Sequence, residues 1–324
     1  MEDGDRLETA ESPIGQRQAR REARRRRRTL ACLSLLLVAG AVAAAVLLAS
    51  GGGSTPSAHR AQARGPTRRS PARGARQSST TGKPGTERVP ILMYHVINPP
   101  PAGAPFPGLY VPAGELAAQM QALARAGYHA ITMDQMWAYW KHGTTALPAG
   151  KRPIVVSFDN GYQSQYTNAL PVLRRLGWVG EENLQLTGLP PSQGGLSEAQ
   201  VKGLVAAGWE LDTQGFSHAD LIAIDATQLA YQVATARSVV RRRYGVPANW
   251  FCYPSGHYDA TVVAAVKSAG YTGSTTVVPG WASPTEDPYH LPRLRVLGGT
   301  SPAALLSELQ AIRADPPPPA SYSG

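Results

Sequence analysis

Four short stretches of this chain carry side chains able to coordinate a metal, hydrogen-bond a polar group or transfer a proton. Asp159-Asn160-Gly161 follows the apolar run Val155-Val156-Ser157-Phe158, and Tyr94-His95 follows Val89-Pro90-Ile91-Leu92-Met93. Asp212, Gln214 and His218 follow the apolar-ended stretch 208–211, and Tyr253-Pro254-Ser255-Gly256-His257 follows Asn249-Trp250-Phe251-Cys252. Carboxylates and imidazoles are the side chains of general acid–base work, and around a metal ion they activate water. Each stretch also has a plainer reading. Asp-Asn-Gly is a common turn, Ser217-His218-Ala219-Asp220 could cap a helix, and Tyr-Pro-Ser-Gly could be a loop. Four such breaks, each at the end of an apolar run, favour a site over four coincidental turns.

The elements that must position these groups alternate. Runs at 89–93 (VPILM), 154–158 (IVVSF), 249–253 (NWFCY) and 272–276 predict strands. Between and after them the spacing predicts helices. Leu116, Met120 and Leu123 form one stripe, ended by Gly127. Ser197-Glu-Ala-Gln200 is a capping box opening a helix with Val201, Leu204 and Val205 inward. Asp225 and Asp259 cap two more, closed by Gly245 and Gly270, and Ser301-Pro302 starts the last, with Leu305, Leu309 and Ile312 on one face. Strand–helix alternation of this kind implies a mostly parallel sheet or barrel, where chemistry collects at the C-terminal strand ends. No Gly-x-Gly-x-x-Gly or P-loop occurs, so nucleotide binding has no support.

Composition and charge narrow the class further. The 324 residues are 43% hydrophobic, ample for a core, and carry a net charge of +10. That charge is not evenly spread. Residues 1–87 hold 16 basic and 7 acidic side chains (+9), leaving 16 and 15 (+1) for 88–324. The main domain therefore lacks the basic footprint of a nucleic-acid binder. Residues 30–49 form a twenty-residue uncharged run, directly preceded by eight arginines within 17–28. That pattern predicts a membrane-spanning anchor with residues 1–29 as a cytoplasmic basic tail and everything after it outside the cell. An Ala-x-Ala match within 43–45 keeps cleavage as a signal peptide open. Residues 50–87, rich in Gly, Ser, Pro and Arg, read as a disordered linker, and 315–324 (DPPPPASYSG) as a Pro-rich tail unable to pack. One domain remains, residues 88–314. The two cysteines, Cys32 and Cys252, exclude a disulfide scaffold and a Cys-x-x-Cys zinc site.

Across that domain the sequence resembles the polysaccharide deacetylases of the NodB-homology type, carbohydrate esterase family 4. PILMYHVI resembles the opening strand of its exported, membrane-anchored subgroup. VVSFDNGYQSQYTNALPVLRRLG resembles the first motif, usually Thr-Phe-Asp-Asp-Gly, and LSEAQVKGLVAAGWELDTQGFSHADL the second, usually Gly-Ser-His-Thr-x-x-His-x-x-Leu. WFCYPSGHYDATVVAAVKSAGY resembles the third, and LPRLRV the closing strand.

The resemblance implies an α/β fold, an irregular (β/α) barrel, and a hydrolase that removes N-acetyl groups from an N-acetylated polysaccharide or peptidoglycan. It implies Asp159 as general base and His95 as general acid, whose ordinary pKa near 6.5 suits that work. Tyr253, Pro254 and Gly256 would shape the sugar groove. The family holds a divalent metal, commonly zinc, with an Asp and two His. Those positions here are Asn160, Gln214 and His218, so only one ligand is kept. The third-motif arginine is absent, with Cys252 nearest its place. One imidazole with two amides is a poor zinc site. Asp212, two residues before Gln214 in an extended segment, falls on the same face and is the candidate substitute ligand. The expectations are therefore two: a metal-dependent amide hydrolase, or a glycan-binding relic that kept the groove and lost the metal.

Overall fold

The computed structural model describes residues 83–143, 147–187, 189 and 194–324. The basic tail, the apolar run 30–49 and most of the 50–87 linker lie outside the described residues. Among the described residues no helix is long and apolar enough to cross a membrane.

Strands β1 (Val89–Tyr94), β3 (Arg152–Asn160), β4 (Glu181–Leu184), β5 (Glu210–Thr213), β6 (Trp250–Cys252) and β7 (Gly273–Thr275) run parallel in the order β7-β6-β5-β4-β3-β1. β2 (Tyr128–Ala130) pairs with the start of β3, and β8 (Trp281–Ala282) lies antiparallel to the start of β1. β9 (Leu294–Arg295) pairs in parallel with Leu92 and Met93 of β1, and three residues earlier Leu291 bridges Thr275 of β7. The expected barrel is thus a half-barrel whose two edges are spanned by one irregular segment, 291–295. Pro292 within that segment has no N–H to donate, which works against a regular closing strand.

The period-2 alternation of a strand sorts the side chains. Leu92, Tyr94, Val156 and Phe158 pack with Leu116, Met120 and Leu123 of α1 (Ala113–Arg125) and with Leu305 and Leu309 near the chain end. Val89, Ile91 and Val155 point the other way and meet Met133, Met136 and Trp140 of α2 (Met133–His142), together with Trp250. α2 opens with a capping box, Thr132 with Gln135. Further up that inner face, the same parity delivers Ser157, Asp159, Asn183 and Cys252.

The expected caps at Ser197 (opening α4, Glu198–Ala206), Asp225, Asp259 and Ser301 all accept the backbone N–H three residues on. Two helices contain a turn of wider i→i+5 bonding: Gln165–Ala169, ahead of α3 (Leu170–Arg175), and Tyr231–Thr235, between α5 (Ala226–Ala230) and α6 (Ala236–Tyr244). Such turns recur at functional sites. The tail 315–324 packs, against expectation. Tyr258 and Tyr322 exchange two backbone hydrogen bonds of 2.9 Å, and the Tyr258 hydroxyl donates to Pro319 O at 2.7 Å. The tail's prolines withdraw donors but leave carbonyls, and tyrosine rings supply the contact.

The floor of the half-barrel is acidic. Glu181 and Asp212 are fully buried, and Glu210 and Asp134 lie beside them. Both carboxyl oxygens of Glu181, Oε1 of Glu210 and Oδ2 of Asp212 have no hydrogen-bond partner. Burial, and then the neighbouring carboxylates, push the Glu181, Glu210 and Asp212 carboxyls well above the usual range. A carboxyl whose folded pKa is raised favours the fold when protonated, and that advantage fades as pH climbs above the unfolded pKa. Glu181→Gln keeps the shape and removes the titration. Its melting-temperature advantage over the wild type should therefore grow from about pH 5 to about pH 8. An advantage that stays flat or shrinks over that range would mean Glu181 is ionised in the folded protein.

Candidate functional site

A cavity of about 590 Å³ opens at the C-terminal strand ends. Seven of the eight residues expected at a site line it: His95, Asp159, Asn160, Gln214, His218, Tyr253 and Gly256. Pro254 is buried beside them and does not line the cavity. Among the described residues four non-glycines have positive φ, and three of these line the cavity: Asn160 (79°), His218 (54°) and Ser255 (56°). Each such position costs on the order of 1 kcal/mol, so backbone strain is concentrated where the polar side chains converge. Gly256 (φ 78°) must be glycine, because a Cβ there would stand 2.3 Å from Val277 Cγ2.

Asp159 is the most constrained group. Arg293 reaches it through both Nη atoms, at 2.8 Å to Oδ1 and 2.9 Å to Oδ2. Asn183 Nδ2 donates to Oδ1 at 3.0 Å, and the Cys252 thiol approaches Oδ2 at 3.5 Å. Burial pushes this carboxyl up, but the guanidinium outweighs it and holds the pKa below the ordinary value. Asp159 is therefore an ionised acceptor of low basicity. The third motif lacks its arginine, and the cation that pairs with Asp159 comes instead from the closing run as Arg293, which is wholly buried. The signal in the sequence was the first of two arginines inside the otherwise apolar closing run LPRLRV.

His95 departs from its expected role. The residue keeps some exposure, but its Nδ1 is buried without a protein partner. Burial pushes the imidazole pKa down to about 4, with Arg293, Arg295 and His218 adding to the fall and Asp159 opposing it. At neutral pH the ring is uncharged, a hydrogen-bonding group and not a stored acid. His218 is lowered too, chiefly by burial, with Asp159 opposing.

Two glutamines from the widened helical turns hold this site in place. Gln165 Nε2 donates to the carbonyls of His95 (2.9 Å) and Asp159 (2.8 Å). Gln232 Oε1 accepts from the backbone of Phe216 (2.9 Å) and Ser217 (3.0 Å), while its Nε2 donates to Ser217 Oγ at 2.7 Å. Sequence reading missed both, since a buried glutamine in a helix stripe carries no signal of what it will meet.

The donor set does not fit the family's divalent metal. Gln214 spends its amide oxygen on the Asn160 backbone N–H (2.9 Å), and Asn160 Nδ2 donates to Gln185 Oε1 at 3.1 Å. With those atoms engaged, one imidazole and two amides supply neither the anionic charge nor the number of free donors a zinc site uses. No trio of His, Cys, Asp or Glu among the described residues is placed to hold a metal ion. Asp212 is no substitute. It shares the face of Gln214 but lies two residues below it, about 6.6 Å down the strand, and its Oδ1 accepts the Trp250 N–H at 2.8 Å.

Residues 146–274 match the family model for polysaccharide deacetylase. Bacillus subtilis YxkH, designated a polysaccharide deacetylase, is 27% identical over 238 residues, covering 72% of this chain and 79% of that protein. The fold is similar to the Streptococcus pyogenes deacetylase PplD, solved with acetate (TM-score 0.63, 22% identity, covering 69% of this chain and 99% of that one). It is also similar to a polysaccharide deacetylase from Bacillus cereus (TM-score 0.60, 25% identity, covering 69% of each chain). With the half-barrel, the three ordered motifs and the cavity at their strand ends, these matches identify a polysaccharide deacetylase domain of the NodB-homology type in this chain.

Proposed function

We propose that this domain binds an N-acetylated glycan, such as peptidoglycan or another envelope polysaccharide, without hydrolysing it. The observation that supports this most is the Asn160–Gln185–Gln214 amide network, which occupies the donors the family devotes to metal. What remains suits recognition. The cavity pairs polar groups at its base (Asn160, Gln214, His95, His218) with apolar walls from Leu109, Leu189 and Val277. An acetamido group offers a methyl to such walls and an amide donor and acceptor to such a base. The near-neutral domain argues against a nucleic-acid partner. The arginine-flanked run 30–49 supports display of the domain on the outer face of the cell membrane. Hydrolysis is the second reading, supported by the retention of Asp159 and His95, and it would need a divalent metal such as zinc.

Calorimetric titration with chitooligosaccharides and N-acetylated peptidoglycan fragments, run with chelator and again with zinc, separates the two. We expect binding that ignores both additives and no release of acetate. Stoichiometric zinc in the purified domain with steady acetate release would overturn the binding-only reading, and no affinity for any of these glycans would overturn both.

A further inference from the structure

We infer that the glycan recognised at this cavity is anionic, and that Arg295 reads its charge. This rests on the glycan reading above and narrows it. Arg295 sits on β9, in register with Met93, and lines the same cavity as Asp159 and His218. It is exposed, and among the described residues its guanidinium has no hydrogen-bond or ion-pair partner. The one carboxylate lining the cavity is Asp159, already neutralised by the bidentate bond to Arg293. The count of fixed charge at the cavity is therefore one negative group with its own cation, plus one cation left over.

That surplus matters for recognition. A guanidinium offers a planar fork that matches an oxyanion through two parallel hydrogen bonds. Phe106, 68% exposed, lines the same cavity, and its neighbour Gly108 is tied by hydrogen bond to Gly298, three residues beyond Arg295. An exposed ring and an unpaired cation thus border one flank. They fit a sugar whose apolar face stacks on the ring while an acidic substituent reaches the arginine. A carboxylate on a sugar, such as the lactyl group of a muramic acid, and a sugar phosphate share this chemistry.

The experiment compares three probes by calorimetry: neutral chitobiose, the disaccharide of N-acetylglucosamine with N-acetylmuramic acid, and N-acetylglucosamine 6-phosphate. The wild type should bind at least one acidic probe about 10–100-fold more tightly than chitobiose, as one charge-assisted contact implies. Which acidic probe gains shows whether carboxylate or phosphate is the source. Arg295→Gln should erase the preference and leave chitobiose affinity unchanged. Arg295→Lys should restore it in part, as a charge without the fork. Chitobiose bound as tightly as either acid, or a preference that survives in Arg295→Gln, would overturn the role of Arg295 while leaving glycan binding intact. Failure of every probe to bind would overturn glycan binding itself, and this inference with it.

Discussion

Replacing Arg293 with methionine is expected to destabilise the domain by about 3–5 kcal/mol, because it strands a buried carboxylate. Arg293 and Asp159 are 0% and 1% exposed, and their two parallel bonds of 2.8 and 2.9 Å leave no water to take over either charge. Methionine fills much of the same volume, so the loss measures charge and not a cavity. Asp159→Asn should also be costly, since it strands the guanidinium instead. The double variant Asp159→Asn with Arg293→Met removes both charges together and should lose much less than the sum of the two. Urea unfolding of the four proteins gives the comparison. A loss below about 1 kcal/mol for Arg293→Met would mean the pair is solvated, contrary to its burial. Acid should mimic the single change. The folded pKa of Asp159 is depressed, so the stability it adds is present above its unfolded pKa and disappears as pH falls through the folded value.

The second large effect is a gain. Asn160→Asp combined with Gln214→His would place one carboxylate and two imidazoles, with His218, at positions that already border one cavity. Loss of an outer partner of a metal ligand typically costs 10–100-fold in affinity, so restoring two direct ligands should tighten zinc binding by more than about 100-fold. The variant also dissolves the amide network, because aspartate at 160 has no amide to give Gln185 and histidine at 214 has no amide oxygen for the Asn160 N–H. Without zinc it should therefore melt below the wild type, and with zinc it should rise. A hundredfold excess of zinc over its Kd adds about 2.7 kcal/mol. Either single change should gain less, because two donors do not close a triad. A double variant whose melting temperature ignores zinc would show that these three positions do not converge on one point. The metal assignment drawn from the family resemblance would then fail for this chain.

Much of the frame could be read without a structure. Caps at Ser197, Asp225, Asp259 and Ser301 are local events, a side-chain oxygen meeting an N–H three residues on, so the sequence holds all the information they need. The apolar runs of β1, β3 and β6 were legible because parallel strands are buried on both faces. For the same reason the polar breaks after them marked the cavity correctly. β4 was not legible. It reads Glu-Glu-Asn-Leu, a string no propensity assigns to a buried strand, yet all four residues are buried. It is tolerated there because neighbours on β3 and β5 satisfy its backbone, and because burial raises the pKa of Glu181 and Glu182, favouring the uncharged carboxyl.

The chain's residue types alone determined that two of three expected metal ligands are amides, since substitution is a fact of covalent sequence. Only the tertiary structure decided what those amides do, because their partners lie 25 and 54 residues away. The same separation hid Arg293, 134 residues from the carboxylate it neutralises. It also hid the shift of His95, whose ordinary pKa is a property of the free side chain and whose value near 4 belongs to its surroundings. Local hydrogen bonds and alternating polarity are written along the chain. Burial, charge pairing and desolvation depend on distances between segments that fold together from far apart, and no window of sequence contains them.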